Sequence, residues 1–64
     1  MNEDRKEAIR AALATGAKTT EELMEAAGLV GNLALFQDIV REEVDAGRMH
    51  VIPGIFPTRW EARR

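Results

Sequence analysis

The stretch Thr19–Gly47, TTEELMEAAGLVGNLALFQDIVREEVDAG, decides the fold. Thr19 and Glu22 stand at the spacing of a capping box, in which each side chain satisfies a backbone N–H that the first helical turn leaves without a partner. Leu23, Met24 and Ala27 then supply an apolar face, so a helix over about residues 20–27 is expected, with Met24 filling the core. Gly28 suits the left-handed residue that ends such a helix, and Leu29 folds back over the end. A second start signal follows. Asn32 caps a helix from Leu33 to about Ala46, in which Leu33, Phe36, Val40 and Val44 fall on one stripe. Leu35 and Ile39 widen that stripe to about half the circumference. The opposite face holds Gln37, Asp38, Arg41, Glu42 and Asp45, and Gly47 stops the helix.

Upstream, Asn2 is placed to cap a first helix over about residues 3–14, with Glu3 and Asp4 in its first turn, where the helix dipole favours acids. Glu3–Lys6 and Glu7–Arg10 are expected as ion pairs on its wet side. Ala8, Ile9, Ala12 and Leu13 form its apolar stripe, and Thr15-Gly16 breaks it. Downstream, Met49–Ile52 and Thr58–Arg63 alternate as strands do. Pro53-Gly54 favours a type II turn, whose twist suits a tight hairpin poorly, so a loop over Pro53–Pro57 is expected. Trp60 is expected to pack onto the helices. Ile55 and Phe56 at the tip have two readings: either one folds back onto the core, or together they form an exposed apolar patch that marks a protein interface.

The chain has 64 residues, no cysteine and a 45% hydrophobic fraction. That is one small folded domain with no disulfide or thiolate metal site, dependent on good helix packing or on a partner. No apolar run reaches the length of a membrane span, and Met1–Arg10 is too charged for a signal peptide, so a cytoplasmic protein without a membrane partner is expected. The net charge of −2 hides an asymmetry. Residues 1–47 carry ten acids and five bases, whereas residues 48–64 carry four arginines against Glu61 alone, giving −5 and +3.

Helix, capped helix, turn, helix and two-stranded ribbon is an order that resembles the winged helix-turn-helix family. Thr19-x-x-Glu22-Leu23, Gly28-Leu29, the stripe of the third helix and Ala46-Gly47-Arg48 carry the resemblance, which spans about residues 5–63. It implies a mainly α, α+β fold: three helices and a two-stranded C-terminal wing. It also implies a small DNA-binding protein, a transcriptional regulator on duplex DNA; a single domain this small has a limited contact area, so a homodimer would help its affinity. By position, Asn32, Ala34, Gln37, Asp38 and Arg41 would face the groove, with Gln37 on an adenine edge and Arg41 on a guanine edge. Lys18, Thr19, Arg48, His50, Arg59, Arg63 and Arg64 would serve phosphates, and the basic wing would carry much of the grip.

The outward face of the third helix departs from that pattern, because Arg41 stands there against Asp38, Glu42 and Asp45. Near phosphate those acids add repulsion. The alternative is a protein-interaction module, an inhibitor or assembly factor, on the same fold. Asp38, Glu42 and Asp45 would meet a basic protein partner, and Ile55 and Phe56 would supply an anchor.

Catalysis finds little support in the sequence. A single histidine, His50, and four threonines offer no assembled nucleophile and base, and Gly28 and Gly31 already have turn explanations. Glu21 with Glu25, and Asp38 with Glu42, share helix faces, but no histidine accompanies them. A non-enzyme without cofactor or metal is expected.

Overall fold

A computed structural model describes residues 2–63. It contains α1 (Asn2–Leu13), β1 (Lys18–Thr19), α2 (Thr20–Ala27), α3 (Leu33–Asp45), β2 (Met49–Ile52) and β3 (Arg59–Ala62). The fold is α+β: three helices against a three-stranded antiparallel sheet in the order β1-β3-β2. The expected two-stranded ribbon forms as β2–β3, and an unexpected third strand joins it. Lys18 pairs with Trp60 and Thr19 with Arg59, so the segment between α1 and α2 adds a strand to β3. Two residues are too few to show alternation, which is why the sequence hid it.

The caps of α2 form as their chemistry requires. Thr19 N donates to Glu22 Oε1 at 2.9 Å, and Glu22 N donates to Thr19 Oγ1 at 3.2 Å. Donation from the Thr19 backbone N–H, and then from the Thr19 hydroxyl, holds the Glu22 carboxyl below the usual carboxylate range. At the other end Gly28 takes φ 69°, and Leu29 N donates to Met24 O at 2.8 Å. That bond carries Leu29 back into the core, where it is buried. Asn32 Oδ1 accepts from Leu35 N at 3.4 Å to start α3. Arg48 N donates to Glu43 O at 3.0 Å to finish it, with Gly47 at φ 75°. Asn2, expected as a cap, lies inside α1.

The core is Ile9 and Leu13 of α1, Leu23 and Ala27 of α2, Leu29, then Phe36, Ile39 and Val40 of α3, and Met49 of β2. Fully burying each large member contributes about 1.5–3 kcal/mol. Ala12, Met24, Leu35 and Trp60 pack around it, half-buried. Trp60 reaches across to α2, where its Nε1 donates to Thr20 Oγ1 at 3.0 Å.

The buried stripe of α3 differs from the expected one. Leu33 and Val44, expected inside, are 50% and 39% exposed, while Glu43 is fully buried. The buried set Phe36, Ile39, Val40, Glu43 follows helical spacing, so Glu43 occupies a core position. Its carboxylate is clamped between two guanidiniums. Arg10 Nε donates to Oε1 at 2.7 Å, and Arg48 Nη1 to Oε2 at 2.8 Å. Arg10 thus turns inward from α1 to α3 rather than pairing with Glu7, and Lys6 likewise reaches both Glu3 (3.5 Å) and Glu42 (3.4 Å). Burial pushes the Glu43 carboxyl up, but the two arginines outweigh it and hold it below its ordinary value. Glu43 therefore locks α1, α3 and the start of β2 together as a carboxylate.

Candidate functional site: the groove between α3 and the hairpin

The groove-facing part of α3 is what the core leaves over. The core takes Phe36, Ile39, Val40 and Glu43 from an apolar arc that is wider than the contact surface. Leu33 and Val44 are left at the edge, beside Gln37 and Arg41. In β2 and β3 the register places Val51 opposite Trp60 and Met49 opposite Ala62. Met49 is buried, so Val51 and Trp60 share the core-facing side of the sheet. Beyond Met49, however, no helix covers Val51, which is 44% exposed. The result is an open groove of about 640 Å³. Leu33, Val40, Val44, Val51 and Trp60 form its apolar lining, and Gln37, Arg41, Asp45, His50 and Thr58 its polar rim.

Beside the groove stands the loop between β2 and β3. Gly54 has φ 78°, as the third residue of a type II turn after Pro53 requires. Thr58 belongs to the loop, since β3 begins at Arg59. Neither tip residue folds back onto the core. Ile55 is 44% exposed and Phe56 is 96% exposed, so the tip is an exposed apolar patch. A depression of about 350 Å³ lined by Thr19, Thr20, Glu21, Phe56, Pro57 and Thr58 adjoins the tip. It shares Thr20 and Thr58 with the groove, so tip and groove lie side by side.

The charges are sorted by element. Glu21, Glu22 and Glu25 of α2 and Asp38, Glu42 and Asp45 of α3 are all exposed, giving the helical surface an acidic field. Against them, Arg41 is the cation on the outward face of α3, and it makes no ion pair within 4.0 Å among the described residues. The expected phosphate ligands divide into two groups. Arg48 is half-exposed but engaged by Glu43, and His50 Nε2 lies 2.6 Å from Glu61 Oε1 across the strands. Arg59 and Arg63 are exposed and make no ion pair among the described residues, and Lys18 is half-buried in β1. Asn32 is committed to its cap. Arg64 lies outside the described residues. Gln37 and Arg41 do stand together on the groove rim, while Ala34 and Asp38 are exposed on α3 and do not line it.

Two features escaped the sequence reading. Glu43 was legible in principle, as a charge at the spacing of Phe36, Ile39 and Val40. The exposure of Leu33 and Val44 was not, since it depends on where the hairpin sits. No family model, curated protein or solved structure matches this chain. Among the described residues no helix is long and apolar enough to cross a membrane, and no three His, Asp or Glu side chains converge as a metal site.

Proposed function

We propose that this chain is a winged-helix protein-interaction module, which binds through the groove between α3 and the hairpin and through the tip beside it. The observation that carries the reading is Phe56, at 96% exposure next to an open apolar groove. A phenylalanine held in water between two prolines costs solubility and gives the monomer nothing, whereas aromatic anchors of this kind dominate interface energies. The short strand β1 pairing with the last strand, in the order helix, strand, helix, helix, hairpin, supports the winged-helix assignment. The acidic surface of α2 and α3 favours a basic protein over a phosphate backbone.

Site-specific photocrosslinking tests this. With Phe56→p-benzoylphenylalanine, light should attach protein to the tip. No protein adduct, together with salt-dependent binding of duplex DNA, would replace this reading with the second one. The second reading is a DNA-binding regulator that grips duplex DNA through its wing, and the exposed, unpaired Arg59 and Arg63 favour it. It requires binding that weakens with salt and that falls when both arginines become alanine.

A further inference from the structure

We propose that the occupant of the groove is the tip of a second copy of this chain, in an isologous dimer that places each Phe56 between α3 and the hairpin of its partner. This rests on the reading of tip and groove as an interface, and it names what fills them.

Three observations carry it. First, the protruding group and the cavity that suits it occur on one molecule, and both are unfilled there: Phe56 is 96% exposed and the groove is about 640 Å³. Second, they adjoin, sharing Thr20 and Thr58. A protrusion beside its cavity lets one two-fold axis near the shared residues seat both tips at once.

Third, the charges match under that rotation. Glu21 lines the depression at the tip, and Arg41 lies on the groove rim. Both are exposed, and neither makes an ion pair among the described residues. In the proposed dimer Glu21 of one copy meets Arg41 of the other, twice by symmetry.

Area sets the strength. Each phenylalanine and the groove surface it covers bury about 400 Å², so the pair falls at or below the low end of specific interfaces. A weak, concentration-dependent dimer follows. Self-pairing leaves Glu25, Asp38 and Glu42 uncovered, so the dimer would present a doubled acidic surface to a basic partner.

The test is sedimentation velocity of the full chain over a concentration series. Wild type should pass from monomer to dimer. Phe56→Ala should stay folded and weaken the dimer by at least about tenfold. Arg41→Glu should also weaken it, and Arg41→Glu combined with Glu21→Arg should recover it, since the swap restores opposite charges. A wild type that stays monomeric up to about 1 mM, a dimer indifferent to Phe56→Ala, or a double swap that fails to recover association would each overturn the proposal.

The photocrosslinker at position 56 separates this from failure of the underlying reading. An adduct between two copies supports the dimer. An adduct only with a different protein overturns self-pairing and leaves the interaction module standing. No protein adduct removes both.

Discussion

Two regions of this small fold break the rule of apolar inside and polar outside, in opposite directions. At the junction of α1, α3 and β2, a carboxylate is fully buried at Glu43. At the hairpin tip, an aromatic ring stands in water at Phe56. The first is compensated within the chain, because Arg10 and Arg48 supply the charge and hydrogen bonds that a buried carboxylate needs. The second has no compensation among the described residues. A violation that is satisfied internally belongs to the scaffold, and the one left open is what the proposed interface would cover.

The largest effect should come from comparing the two phenylalanines. Phe36, 2% exposed in the core, should cost about 4 kcal/mol when replaced by alanine. That is most of the stability of a domain this size, so urea unfolding of Phe36→Ala should show a largely unfolded chain. Glu43→Gln should cost about 2 kcal/mol at neutral pH through the lost charged hydrogen bonds, read by the same unfolding curve. The sign of its pH dependence follows from the depressed folded value of Glu43. The contribution is present above the unfolded value of about 4.3 and is lost as pH falls through the folded one. The gap between wild type and Glu43→Gln should therefore close in acid. A gap that persisted there would show that packing, rather than charge, makes Glu43 important.

The capping box ranks next. Thr19→Ala removes the acceptor for Glu22 N and should cost about 1 kcal/mol, visible as a lower midpoint of thermal unfolding. Smallest of all in stability is Phe56→Ala, which should change unfolding by no more than about 0.5 kcal/mol, while association is lost. A destabilisation as large as that of Phe36→Ala would place Phe56 in the scaffold and dissolve the contrast.

The sequence carried the parts of this fold that are local. The Thr19–Glu22 box, Gly28 with Leu29, the Asn32 cap and the stop at Gly47 are decided within a few residues of each other, and the structure has them. What depends on distant neighbours was not legible. β1 exists only because β3 returns to pair with it. Arg10 turns from Glu7 to Glu43 only because α3 crosses beside α1. Leu33 and Val44 lie on the same helical stripe as Phe36 and Val40, and whether they are covered is settled by how far the hairpin extends over α3. The candidate site was half visible for the same reason. Ile55 and Phe56 stand out as apolar residues in a loop, but the groove beside them is made by three elements meeting.

In the proposed interface the apolar surface does the binding and the Glu43 cluster is scaffold. The most direct measurement is a dilution series followed by amide shifts in ¹H–¹⁵N spectra, from about 1 mM to about 10 μM. Leu33, Val44, Val51 and Phe56 should move with concentration while Arg10, Glu43 and Arg48 stay fixed. Spectra unchanged across the series, or changes centred on Glu43, would contradict it.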